Sequence, residues 1–202
     1  LGYIRKAVQD FDLIHKGDKI AVGVSGGKDS LVLLAGLAHM SRFVEFDYDI
    51  TAVTIDPGFN GVPNNYDAVA RLCEKLDVPF SLVHTQIGEI VFDIRKEPNP
   101  CSLCANMRRG ALHDAAKAAG CNKLALGHHN DDVIETFIMN LFNEGRIGCF
   151  SPKTHLDRKD ITVIRPLVLA PESQIISACN RNNLEVVKSV CPADKTTTRQ
   201  KT

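Results

Sequence analysis

Short apolar runs alternate along this chain with amphipathic stretches. Lys19 to Val24, Ile50 to Asp56, Pro79 to His84, Lys123 to Leu126 and Thr162 to Leu169 read as strands, because each is a brief apolar run bounded by turn residues. Helical spacing fills the gaps: Asp29 to about Arg42, Asn64 to Leu76 with apolar positions at 69, 72, 73 and 76, Ala105 to Ala119 stopping at Gly120, Asp131 to Phe142, and Pro171 to Asn182 with proline in its first turn. Strands followed by helices of this kind predict βαβ units, hence an α/β fold with a parallel sheet. A short N-terminal helix and a basic C-terminal segment complete an expected single domain over residues 1–202. Pro98 to Pro100 and Arg146 to Asp160 are the main stretches expected to be irregular.

Composition narrows the partners. With 202 residues, 44% hydrophobic, and 24 basic against 24 acidic side chains, the chain has a core but no global field to hold a polyanion. Any nucleic acid must therefore meet a local patch. The longest apolar stretch, around Leu31 to Met40, is too short to span a bilayer, and no signal-like pattern opens the chain. A start at Leu1 and an end on "TTTRQKT" leave the natural termini open. Seven cysteines, an odd number without a secretion signal, argue against a disulfide framework and for cytoplasmic thiols, some with metal or redox work.

The string Ser25-Gly26-Gly27-Lys28-Asp29-Ser30 interrupts the first strand–helix unit. Glycines let backbone N–H groups approach an anion, Ser25 and Ser30 can donate, Asp29 or Ser30 can cap the helix whose N-terminus faces the anion, and Lys28 adds a cation. An ordinary polar-capped turn would use the same residues. Neither the Walker spacing nor the dinucleotide glycine pattern fits. At the second such turn, Gly127 allows close backbone approach. Asp131 and Asp132 begin a helix, where acids are favoured, or reach a hydrated magnesium ion. Cys101 and Cys104 form a C-x-x-C pair suited to zinc, an iron–sulfur cluster or a redox dithiol. No second such pair exists to close a zinc site, and Cys191 is the third candidate thiol. Arg108 and Arg109 follow the pair. Arg181, Lys188, Lys195, Arg199 and Lys201 give the C-terminal region a positive excess over Glu185 and Asp194.

"SGGKDS" after a strand and before a helix resembles the signature of the PP-loop ATP pyrophosphatases, which cleave ATP between its α and β phosphates and adenylate a substrate. "GHHNDD" resembles the corresponding segment in members that act on tRNA. The distant trio Cys101, Cys104 and Cys191 resembles the tRNA 2-thiolation branch, most closely the group forming 2-thiocytidine in the anticodon loop. The resemblance spans nearly the whole chain and implies a PP-loop, Rossmann-like sandwich and an ATP-dependent tRNA sulfurtransferase acting on a cytidine, at position 32. It further implies that ATP is held by Ser25 to Ser30, with adenine at the backbone of Val53 and Ile55 and with Gly127 beside it. Lys28, Arg108 and Asp132 would assist chemistry, Asp29 and Asp131 would hold Mg2+, and the three cysteines would hold a 4Fe–4S cluster whose fourth iron is open for sulfur. The implied partners are tRNA, a sulfur donor such as a cysteine desulfurase or sulfide, and a second copy in a homodimer. The residues alone leave three rivals: a lysidine-type or 2-thiouridine-forming ligase, a disulfide or persulfide thiolase without iron, and a nucleotide- or metal-binding module without turnover.

Overall fold

A computed structural model describes residues 1–44, 46–96, 99–188 and 190–193. Helices α1 (Gly2–Asp10), α2 (Lys28–Met40), α3 (Asp67–Leu76), α4 (Pro100–Ala118), α5 (Asn130–Met139) and α6 (Glu172–Arg181) alternate with strands β1 (Lys19–Gly23), β2 (Asp49–Asp56), β3 (Phe80–His84), β4 (Lys123–Ala125), β5 (Lys153–Leu156) and β6 (Ile161–Ile164). The sheet runs β3-β2-β1-β4-β6-β5. Every pairing is parallel except the edge pair β5–β6. β1 lies inside the sheet, and the chain winds outward from it in both directions. The turns after β1 and β4 therefore sit side by side at the carboxyl edge, where such sheets hold ligands.

Period-two alternation divides the core. Ile20 and Val22 of β1 face a cluster with α1, α2, α3 and α6, including Leu33, Leu37, Val69 and Ile175. Ala21 faces the other side with Val53, Ile55, Leu124, Cys104 and Ala116, the last two from α4. Both faces are thus covered, as a parallel sheet requires.

Several boundaries differ from the sequence reading, each for a local reason. α4 begins at Pro100, five residues before the expected Ala105, with proline tolerated in the first turn. Cys101 and Cys104 consequently lie on the helix and not in a loop ahead of it. α3 starts at Asp67 instead of Asn64, because the Asp56 carboxylate accepts the Asn64 N–H (3.2 Å) and the Asn65 side chain accepts the Asp67 N–H (2.8 Å). β6 stops at Ile164, ahead of a proline that has no N–H to give a ladder. The stretch expected to be irregular, 146–160, contains the antiparallel strand β5. Residues 184–188 form no strand before Cys191, although the Val187 N–H donates to the Gly26 carbonyl at 3.0 Å. Two π-helical turns, Glu89–Arg95 and Asn140–Glu144, were not anticipated. Pro98, Asp194, Lys195, Arg199 and Lys201 lie outside the described residues.

A buried ion pair closes the amino edge. Lys123 Nζ lies 2.6 Å from Asp18 Oδ2, with both side chains almost fully buried. Lys123 also donates to the Leu13 carbonyl (2.7 Å). Asp18 accepts from the His15 N–H (2.6 Å) and the Asn122 amide (2.8 Å).

Candidate active site

The phosphate-loop candidate is closed on itself by hydroxyls. Ser30 Oγ donates to the Gly27 carbonyl (2.9 Å) and accepts the Ser25 N–H (3.2 Å), while Ser25 Oγ accepts the Gly27 N–H (3.3 Å). Gly26 has φ +85°, and a Cβ there would lie 2.7 Å from Val187 Cβ, so both conformation and space demand glycine. Gly27 precedes the first turn of α2 in an extended conformation, which aims the helix N-terminus out of the loop. Gly127 packs against the start of α2: a Cβ there would stand 3.1 Å from the Asp29 carbonyl carbon and the Ser30 nitrogen. The two βα turns can therefore lie against each other.

Between them opens a cavity of about 420 Å3, walled among others by Ser25, Asp29, Val53, Ile55, Arg108 and Asp132. Val53 accepts the Val24 N–H (2.8 Å), so its peptide faces β1. Two residues on, Ile55 faces the same side, past the last β1 residue in register with β2. That leaves a strand edge with the geometry to pair with the edge of a planar base.

Charged groups are concentrated on one wall. His129, a buried residue the sequence reading passed over, stands with Nε2 3.7 Å from Asp29 Oδ1 and 3.5 Å from Asp132 Oδ2. Asp132 also accepts the His129 N–H (2.9 Å), forming a capping box at α5. Asp29 Oδ1 is fully buried and accepts no hydrogen bond, although Lys28 Nζ is 3.2 Å away. Lys28 itself is turned to Glu172 of α6 (2.8 Å) and does not line the cavity. Burial lowers the Lys28 pKa, but the Glu172 and Asp29 carboxylates outweigh burial and raise it on balance. Asp131 does not line the cavity either. Its Oδ2 accepts the Glu172 N–H at 2.7 Å, so it caps α6. Asp29 and Asp132 thus line the cleft, while Asp131 stands behind them, its Oδ2 also 3.7 Å from His129 Nδ1. His113 of α4 is a further wall residue that the sequence did not flag. Burial, then the charges of Arg109 and Lys159, hold its imidazole below the ordinary value.

Ser25 and Arg108 also wall a second chamber, of about 280 Å3, with Phe59, Asn64, Tyr66, Lys188 and Cys191. All seven cysteines are free thiols. Cys104 is buried, and burial chiefly pushes its thiol pKa up. Arg108 opposes that shift, while Cys191 and Cys101 add to it, so both of those sulfurs lie near that of Cys104. Cys191 packs on the same apolar cluster as Cys104. Among the described residues, no three His, Cys, Asp or Glu side chains surround a single-ion metal site. The C-x-x-C pair and the distant Cys191, separate in sequence, are neighbours in the fold. The other four cysteines are dispersed, with Cys73 and Cys121 in opposite apolar clusters, Cys179 buried and Cys149 exposed.

A family model described as a PP-loop domain matches residues 3–201. The chain is 43% identical over 195 residues to a tRNA-cytidine(32) 2-sulfurtransferase of Pelobacter propionicus, covering 96% of this chain and 72% of that one. It is 41% identical over 190 residues to the protein of the same name from Geobacter sulfurreducens, covering 94% and 73%. Among solved structures, the U34-tRNA thiolase NcsA from Methanococcus maripaludis with its 4Fe–4S cluster superposes with a TM-score of 0.75 at 28% identity. That match covers 95% of this chain and 65% of the thiolase, just under two thirds of its length. The phosphoadenylyl-sulfate reductase of Candida auris, at 11% identity and TM-score 0.57 over 91% of this chain and 81% of that one, shares the fold alone.

Proposed function

Because the chain belongs to the PP-loop domain family, we propose that it is an ATP-dependent tRNA sulfurtransferase that adenylates a cytidine, at position 32, and replaces its O2 with sulfur. One observation carries the reading: Ser25 and Arg108 wall both the phosphate-loop cavity and the chamber reached by Cys191. A base seated at that common wall has activation on one side and thiols on the other.

ATP occupies the larger cavity. Its phosphates meet the Ser25–Gly27 backbone, both serine hydroxyls and the α2 N-terminus. Its adenine meets the strand edge at Val53 and Ile55. Asp29, with its orphaned buried oxygen, and Asp132 suit a hydrated Mg2+, which takes oxygen ligands. His129 holds the two carboxylates in register. Arg108 stabilises charge as the cytidine O2 attacks the α-phosphorus and pyrophosphate leaves with the bond electrons. Lys28 answers the departing phosphates once it exchanges Glu172 for them. A sulfur at the sulfide level then adds at C2, and AMP leaves with the former O2, so no electrons are gained or lost overall.

Cys101, Cys104 and Cys191 suit a 4Fe–4S cluster. Each thiolate would ligate a different iron, so the trio needs proximity but not the tight shell of one ion. When bound, a cluster held by three thiolates offers one iron without a protein ligand, a coordination position for the sulfur being transferred. A cysteine desulfurase or free sulfide is the proposed donor and the cytoplasm the proposed compartment. In keeping with this, every cysteine is a free thiol, and no helix among the described residues is long and apolar enough to cross a membrane. A second copy of the chain is the proposed occupant of the apolar face at the end of α5. There Ile134, Phe137, Ile138, Leu141 and Phe142, at helical spacing along α5 and the turn that follows it, are all exposed. A monomer by light scattering would overturn that part.

The test is anaerobic purification, iron counting, and nucleoside mass spectrometry of tRNA incubated with ATP and sulfide. Four irons per chain and ATP-dependent 2-thiocytidine are expected, with product lost in Cys101→Ser, Cys104→Ser and Cys191→Ser. Undiminished product from those variants would overturn the assignment.

A further inference from the structure

Resting on the reading above, we infer that the smaller chamber is the seat of the target base, with the Asn64 amide distinguishing cytosine from uracil. The reaction demands a base whose O2 reaches the α-phosphate and whose C2 is then open to sulfur. A chamber that shares Ser25 and Arg108 with the nucleotide cavity and ends at Cys191 meets both demands. At about 280 Å3 it lies at the small end of ligand pockets, typically ~300–1,000 Å3. One extruded base with part of its ribose fits that space, and a stack of nucleotides does not.

The walls match the way enzymes hold an extruded base, between apolar or aromatic surfaces and with hydrogen bonds to its pairing edge. Phe59 and Tyr66 are each 7% exposed, and the Phe59 ring is braced edge-on by Phe92 at 5.8 Å. Asn64 sits on the same lining and is fixed at both ends. Its N–H is held by Asp56 (3.2 Å), and its side-chain oxygen accepts the Asn65 N–H (2.9 Å). With that oxygen engaged by Asn65, the amide nitrogen of Asn64 is the end left to act as a donor. Cytosine presents an unprotonated N3 to such a donor. Uracil presents N3–H, and two donors cannot pair. A site built to bond one base rejects another that leaves its polar group unpaired. Asp56, nearly fully buried, anchors the whole turn through Gly58, Asn64 and His84.

The experiment uses the cluster-loaded protein and tRNA transcripts carrying cytidine or uridine at the target position, and reads pyrophosphate release and 2-thio product. Asn64→Asp places only acceptors at N3. It is expected to lower kcat/KM for the cytidine tRNA at least tenfold and to shift the cytidine-to-uridine ratio toward uridine by a similar factor, with the KM for ATP within twofold. Asn64→Ala removes the donor without adding a charge and lowers that ratio about threefold to tenfold, which guards against a folding defect peculiar to the aspartate. If the wild type thiolates cytidine tRNA while both variants keep its base ratio within twofold, the chamber assignment is overturned and the thiolase reading stands. If the wild type releases no pyrophosphate in response to tRNA, both fall.

Discussion

The two ends of the sheet hold similar side chains in opposite states. At the amino edge, Asp18 and Lys123 are buried together and every neighbour is committed: Asn122, the His15 N–H and the Leu13 carbonyl complete their shells. At the carboxyl edge, His129 Nε2 stands 3.5 Å from Asp132 and 3.7 Å from Asp29, too far for strong hydrogen bonds, and Asp29 Oδ1 is buried without one. A satisfied buried pair holds structure; a buried oxygen such as Asp29 Oδ1, left without a hydrogen bond, costs stability unless something binds there. The difference marks the carboxyl edge as the working end, independently of any motif.

The strongest way to break this comparison is to remove one partner from the satisfied pair. Lys123→Ala strands a buried carboxylate and is expected to cost about 3–5 kcal/mol. At this chain length that lowers Tm by roughly 6–20 °C, read by calorimetry, while ATP affinity measured well below the transition stays within twofold. An unchanged Tm would mean that the amino-edge pair is not structural. Next in size, Arg108→Ala at the working end is expected to slow tRNA adenylation about 100- to 1,000-fold, with Tm moved by no more than about 2 °C, read by single-turnover pyrophosphate release. A large Tm loss with intact turnover would reverse the roles of the two edges.

The smallest effect sharpens the contrast through pH. His113, beside the cleft, titrates below its ordinary value because of burial and then the charges of Arg109 and Lys159. Its folded pKa lies below the unfolded one, near ~6.5, so its contribution is complete above that pH and is lost as pH falls through the folded value. Burial alone would raise Asp18, but bonds from Lys123, the His15 backbone and Asn122 outweigh it and hold the carboxyl low. Its contribution is complete above ~3.9 and disappears only as pH drops through a still lower value. Tm followed from pH 8 to 3 should therefore fall in two stages. In His113→Gln the first stage should be absent.

What the sequence made legible was local. The strand–glycine–helix string at Ser25 to Ser30, the second turn at Gly127 and the C-x-x-C pair each announce themselves within a few residues, because backbone geometry and spacing carry them. The alternation of β1, α2, β2 and α3 was readable for the same reason. What stayed hidden depends on partners remote in the chain. Nothing near Glu172 reveals that its carboxylate holds Lys28 or that its N–H is capped by Asp131. That cap took Asp131 out of the cleft, and an acidic pair at a helix start gives no hint which member turns inward. The early start of α4 was masked by a proline that usually signals a loop but is at home in a first helical turn. β5 is a short half-exposed edge strand whose pattern is too weak to separate from coil. His129 was signalled only by its place one residue ahead of two aspartates.

The hydrogen bond from Val187 to Gly26 splices the nucleotide-gripping turn to the segment that delivers Cys191. With no room for a side chain at Gly26, the splice is stiff, and nothing of larger size can be inserted to loosen it. On the proposed function, one backbone bond then links the turn assigned to the nucleotide with the segment that precedes Cys191, so a change at Gly26 is expected to be felt on both sides of the reaction.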